Sequence, residues 1–151
     1  MKSNARCPIL IVEDNDDDFE MIMWALKKLS IAMPVFRCID GDEALDYLYG
    51  RGAYTNPQLA PRPAIILLDL NLTAMDGQEV LAHIKNDDTL KVIPVIVWTG
   101  SSDPKDIEIC FKNGANSYVL KPMNLEKLLR AIELLNEYWF GVVVLPENTE
   151  I

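Results

Sequence analysis

Three tetrapeptides, Ile9-Leu10-Ile11-Val12, Ile65-Ile66-Leu67-Leu68 and Val95-Ile96-Val97-Trp98, are apolar at every position. Successive side chains of a strand point to opposite faces, so a run of this kind is stable where both faces of a sheet are covered by helices. These runs predict the central strands of a parallel sheet. Val35-Phe36-Arg37-Cys38-Ile39 and Ser117-Tyr118-Val119-Leu120 are less uniformly apolar and suit positions nearer the sheet edges.

Between the strands the apolar period changes from two to that of a helix. Phe19, Ile22, Leu26 and Leu29 share one face, as do Ile107, Cys110 and Phe111, and then Leu125, Leu128, Leu129, Ile132 and Leu135. Shorter helices fit Gly41 to Tyr49 and Asp76 to Asn86, with Val80, Leu81 and Ile84 inward. The order is (βα)5, an α/β doubly wound five-stranded parallel sheet with right-handed crossovers. Gly50 to Pro63 lacks periodicity and predicts a surface loop.

A chain of 151 residues, half of them hydrophobic, fits one compact domain, here with a core over 8–140 and a C-terminal tail over 141–151. At that size folding buries roughly 70% of the extended chain's surface, so neither a disulfide nor a structural metal is required. A net charge of −9 argues against a nucleic-acid surface, which needs clustered Lys and Arg. Cys7, Cys38 and Cys110 are scattered and accompanied by one histidine, which gives no disulfide framework and no zinc cluster. No apolar run approaches the ~20 residues of a membrane span. The expected location is the cytoplasm.

In doubly wound sheets ligands bind beyond the carboxyl ends of the strands. Here those ends carry Glu13-Asp14, Asp69, Thr99 and Lys121. Two carboxylates ~4 Å apart repel by about 4 kcal/mol at an effective dielectric near 20, so three gathered acids should hold protons or recruit a cation. Oxygen ligands with open positions suit Mg²⁺, and Lys121 suits a phosphate. A carboxylate nucleophile at Asp69, with Mg²⁺, a lysine and a hydroxyl, has the parts that aspartyl-phosphate chemistry needs.

Taken singly, these residues have plainer readings. Asp16, Asp17 and Asp18 suit the start of a helix, whose dipole favours acids there. Asp69 alone could open a turn, and Thr99 and Lys121 could simply end strands. Their joint arrival at four strand ends favours a site. His83, on the helix after Asp76, is given no role.

With these residues in view, the chain resembles the receiver domains of bacterial two-component response regulators over nearly its whole length. The likeness rests on Val12-Glu13-Asp14, Leu67-Leu68-Asp69-Leu70, Met75-Asp76-Gly77, Val97-Trp98-Thr99-Gly100 and Lys121-Pro122. It implies a flavodoxin-like receiver fold in which Asp69 takes a phosphoryl group from a histidine kinase. Asp14, Asp69 and the Asn71 backbone carbonyl would then ligate Mg²⁺, with Glu13 supporting the metal through water. Thr99 and Lys121 would hold phosphate oxygens, and Gly100 would leave room for attack on the phosphate. Tyr118 occupies the switch-aromatic position, against the alternative of an edge-strand tyrosine with its hydroxyl in water. Lys121-Pro122 resembles a cis bond of that family.

Two departures stand out. Thr73 replaces a common proline, an expected loosening of its loop, and Gly50 to Pro63 is longer than usual. That loop and the tail Tyr138-Trp139-Phe140 with Val142 to Pro146 are similar to single-domain regulators paired with bacterial phytochromes. The resemblance implies signalling by contact rather than turnover, with at most self-phosphotransfer and slow autodephosphorylation, because no output domain follows the fifth helix. The partners implied are a phytochrome-type histidine kinase and a second copy of the chain, docked through helices 4 and 5 and the tail. The alternative for the tail is folding back on its own domain. Asp69-Leu70-Asn71-Leu72-Thr73 also echoes haloacid-dehalogenase-type phosphohydrolases, but Asn71 stands where that chemistry wants an acid. A phosphorylation-independent interaction module is the other alternative.

Overall fold

The structure, a computed structural model, describes residues 7–146. Among these, strands run over Ile9–Val12 (β1), Val35–Cys38 (β2), Ile65–Leu68 (β3), Val95–Thr99 (β4) and Ser117–Leu120 (β5). All pair in parallel in the order β2-β1-β3-β4-β5, so the two less apolar strands lie at the edges. Helices follow at Asp16–Lys28 (α1), Gly41–Tyr49 (α2), Gly77–Asn86 (α3), Pro104–Lys112 (α4) and Leu125–Asn136 (α5).

The uninterrupted apolar runs serve two cores. Leu10, Val12, Ile66, Leu68, Val95 and Val97 meet Leu45, Val80, Leu81, Ile84 and Cys110 on the side of α2, α3 and α4. Their neighbours Ile11, Ile65, Leu67, Ile96 and Trp98 meet Ile22, Leu26, Leu128 and Ile132 of α1 and α5. Each run thus splits by strand alternation between the two faces.

Every helix starts with an Asn or Asp side chain accepting a backbone N–H of its first turn: Asn15, Asp40, Asp76, Asp103 and Asn124. In this topology the five capped ends follow the carboxyl ends of the strands. The sheet order reverses between β1 and β3, the place where doubly wound sheets bind their ligands.

Three expectations need correcting. Phe111, expected to face inward on α4, is 51% exposed, and Cys110 is the buried residue of that helix. A nine-residue helix over the sheet's edge offers one position to the core, and Phe111 lies a further 100° around the axis. Leu125, at the first position of α5, is likewise exposed. The bond before Pro122 is trans, as are all peptide bonds of the described residues. That is the form an X-Pro bond prefers by about 0.5–1 kcal/mol.

The segment between α2 and β3 is more than an aperiodic loop. It holds a 3₁₀ turn at Gly52–Tyr54 and is tied to the body by Tyr47 Oη donating to the Pro61 carbonyl at 2.8 Å. Tyr54 Oη donates to Glu43 at 2.6 Å, and the Arg62 guanidinium donates to the Thr89 carbonyl.

After α5 the chain makes a π-helical turn, Glu137–Val142. Trp139 is buried there, and Phe140, Val143 and Leu145 pack on the α1 and α5 core, while Tyr138, Val142 and Val144 stay exposed. The tail therefore folds back on one side and presents apolar groups on the other. Its last residues, 147–151, lie outside the described residues.

Candidate functional site

Parallel pairing in register sets Val12 against Leu68 and Thr99 against Leu120. The next residues therefore emerge side by side. Asp69 N–H donates to the Val12 carbonyl at 3.0 Å, and Lys121 N–H donates to the Thr99 carbonyl at 2.8 Å. Glu13, Asp69 and Thr99 are the buried polar side chains among the described residues, at 1%, 4% and 0% exposure. Carboxylate oxygens of Glu13, Asp14 and Asp69 all lie within 4.8 Å of one another.

Lys121 enters this group from the end of β5. Its Nζ lies 2.9 Å from Asp69 Oδ2, 2.6 Å from Asp18 Oδ2 and 2.7 Å from Glu13 Oε1. The first two are hydrogen bonds. The Glu13 contact is a buried ion pair without hydrogen-bond alignment. The other oxygen, Oε2, accepts from Asn15 N–H at 3.3 Å.

Three carboxylates thus contact one ammonium, and Asp14 lies beside two of them. Burial pushes the Glu13 carboxyl up from 4.5 to about 7, with Lys121 opposing the shift and Asp69 adding to it. Burial pulls the Lys121 ammonium down, but its close contacts with Asp18, Glu13 and Asp69 outweigh this and raise it above its ordinary value. The residues fit a hard divalent cation. The donors are all oxygen, two of the three acids are buried, and the negative charge exceeds what Lys121 can balance.

A pH dependence follows. The folded chain holds the Glu13 proton more tightly than the unfolded chain, so this stabilisation is full below pH 4.5 and is lost as pH rises through 7. Thermal melts of the metal-free protein should give a Tm several degrees lower at pH 8 than at pH 5.5. Glu13→Gln should shrink that difference, and a divalent cation at pH 8 should restore the lost stability. An undiminished slope in Glu13→Gln would place its origin elsewhere.

Asn71 follows in the exposed loop after β3, and its N–H donates to Asp69 Oδ1 at 3.3 Å. Thr73 makes two contacts from this loop: its hydroxyl donates to Asp14 Oδ2 at 3.1 Å, and its backbone bridges to Asp40. Gly77 closes the loop, its N–H donating to the Leu70 carbonyl at 3.0 Å. Open space lies beside Gly100.

The segment after Thr99 is cross-linked. Ser101 N–H donates to Thr99 Oγ1 at 3.4 Å, and Ser101 Oγ donates to Asp106 Oδ2 at 2.5 Å. Gln78 of α3 donates to the other Asp106 oxygen at 3.1 Å. Tyr118, half-buried, donates from its hydroxyl to the Ser101 carbonyl at 2.7 Å. It is neither released into water nor detached from the Thr99 segment. His83 is exposed on α3.

Sequence reasoning singled out Glu13, Asp14, Asp69, Asn71, Thr99, Tyr118 and Lys121, and the structure draws the acids and Lys121 into one cluster, with Thr99 at the end of β4 and Tyr118 on β5 both bonded to Ser101. It missed Asp18 on Lys121, the Gln78–Asp106–Ser101 chain, and Arg37. Arg37 donates to the Glu13 carbonyl at 3.1 Å and pairs with Asp16 at 2.8 Å, which fixes the turn bearing the acids. Arg37 had a signal, being a charged residue within an otherwise apolar strand.

Among known proteins, the family described as "Response regulator receiver domain" matches residues 9–133. The response regulator Rcp1 of Synechocystis is 38% identical over 145 residues, which cover 96% of this chain and 97% of that protein. The crystal structure of its Mn²⁺-bound form superposes with a TM-score of 0.85 at 38% identity, covering 93% of this chain and 99% of that one. The crystal structure of the phosphorylated cyanobacterial phytochrome response regulator RcpA has a TM-score of 0.87 at 41% identity, covering 95% and 100%.

Proposed function

This chain belongs to the response regulator receiver domain family, and from that premise we propose that Asp69 accepts a phosphoryl group from a histidine kinase in the presence of Mg²⁺. The observation that carries the proposal is Asp69 itself, buried, 2.9 Å from Lys121 and grouped with Glu13 and Asp14. An Asp69 oxygen forms the new O–P bond as the N–P bond of the donor's phosphohistidine breaks, and the imidazole leaves with the bonding electron pair. Glu13, Asp14, Asp69 and the Asn71 carbonyl would hold the Mg²⁺, which when bound neutralises charge on phosphoryl and carboxylate oxygens. Lys121 supplies a fixed positive charge to the incoming phosphoryl group, and Thr99 supplies a hydroxyl.

The acyl phosphate carries close to two negative charges and can make one to three charge-assisted hydrogen bonds of about 1.5–3 kcal/mol each. Together these approach the ~5.5 kcal/mol that swings a two-state equilibrium from 1:99 to 99:1. Thr99 and Tyr118 are the switch residues in this reading, because both are tied to Ser101.

The likeness to RcpA, described as a phytochrome response regulator, supports a phytochrome-type kinase as donor; in this reading the chain is one receiver domain in the cytoplasm whose output is contact with other proteins. No described helix is long and apolar enough to cross a membrane, and the charge of −9 disfavours nucleic acid. Exposed Ile109, Leu120, Leu134, Tyr138 and Val142 on α4, β5, α5 and the tail support a homodimer there. Sedimentation at tens of micromolar should show a dimer. A monomer both with and without phosphorylation would remove it.

Incubation with acetyl phosphate tests the chemistry. Intact-mass spectrometry should show a gain of one phosphoryl group with Mg²⁺ and none with EDTA. No adduct under conditions that label another receiver would leave a binding module without this chemistry.

A further inference from the structure

The three carboxylates on Lys121 differ in their freedom to leave it. The side chains of Glu13 and Asp69 are 2% and 5% exposed, whereas that of Asp18 is 42% exposed. Asp18 is the third residue of α1, and its backbone N–H donates to the cap Asn15 at 2.9 Å. An acid at this position commonly reaches back to the N–H of the cap residue. Here Glu13 Oε2 accepts that N–H instead, and the Asp18 carboxylate spans to Lys121, 103 residues away in sequence, at 2.6 Å.

An ammonium has three N–H donors, and carboxylates already crowd Lys121. A phosphoryl group on Asp69 adds close to two negative charges at the atom that Lys121 touches. To serve it, Lys121 must leave a present partner, and Asp18 is the partner that can turn into solvent. We propose that Asp18 is a positioning residue: it holds Lys121 over Asp69 before phosphorylation and competes with the phosphoryl group for Lys121 afterwards. This rests on the reading of Asp69 as phosphoacceptor. The exposed ion pair then limits how tightly the pocket keeps its phosphoryl group.

Beryllofluoride with Mg²⁺, a tetrahedral mimic of a carboxylate-bound phosphoryl group, serves as probe. Its affinity is measured by ¹⁹F NMR for wild type, Asp18→Asn and Asp18→Glu. Asp18→Asn should bind it about five-fold more tightly, the scale of a lost exposed ion pair and its like-charge repulsion. Asp18→Glu should return toward the wild-type value. The gain should shrink in high salt. A residue that merely supported the pocket would give weaker binding when neutralised. Equal or weaker binding by Asp18→Asn, with wild type binding normally, overturns the proposal alone. Absence of binding by wild type, where another receiver binds, overturns the Asp69 reading and this proposal with it.

Discussion

Asp69→Asn is expected to hold phosphoryl uptake from acetyl phosphate at background, a loss of more than about 100-fold against wild type, because an amide offers no anionic oxygen to phosphorus. The fold should survive. The substitution is nearly isosteric, and the backbone bond from residue 69 to the Val12 carbonyl does not involve the side chain. Lys121 keeps Glu13 and Asp18, while the carboxylates in contact with it fall from three to two. The metal-free Tm at pH 8 should therefore equal or exceed that of wild type, and stabilisation by Mg²⁺ should diminish. An intact-mass time course beside thermal melts measures both. An Asp69→Asn variant that still gained one phosphoryl group would move the acceptor to another carboxylate.

Gly77→Ala is expected to lower Tm by about 10 °C, on the basis of roughly 3 kcal/mol of overpacking and 2–4 °C per kcal/mol at this size. A Cβ at residue 77 would stand 2.2 Å from the Asp69 carbonyl oxygen and 2.6 Å from Leu70 Cα. Both are backbone atoms, so no rotamer change relieves the clash. The strand end bearing Asp69 must separate from the start of α3, which should also slow phosphoryl uptake. Gly100→Ala is the control for stability, because its Cβ meets nothing within 4 Å. Melts of the two variants decide it: equal Tm values would mean that the α3 turn yields without cost.

The central strands were legible because burial on both faces leaves no polar position within them, as Ile65 to Leu68 show. The site acids and Lys121 were legible because each stands next to a strand whose end the pattern marks. Asp18 was not, since it belongs to an acidic run that a helix start explains fully, and its partner enters from the opposite end of the chain. The Ser101–Asp106–Gln78 chain was hidden for the same reason, its members being ordinary polar residues near helix starts. Phe111 misled because apolar spacing marks a helix face without showing which positions a short helix presents to the sheet. The tail's apolar residues suggested cover, and the structure divides them between a buried set around Trp139 and an exposed set around Val142.

The most direct measurement is to locate the phosphoryl group. Borohydride reduces an acyl phosphate of aspartate to homoserine, which peptide mass spectrometry assigns to a residue. After incubation with Mg²⁺ and acetyl phosphate, homoserine should be found at position 69 and be absent from EDTA controls. Homoserine at position 14 or 18, with Asp69 unchanged, would contradict the account.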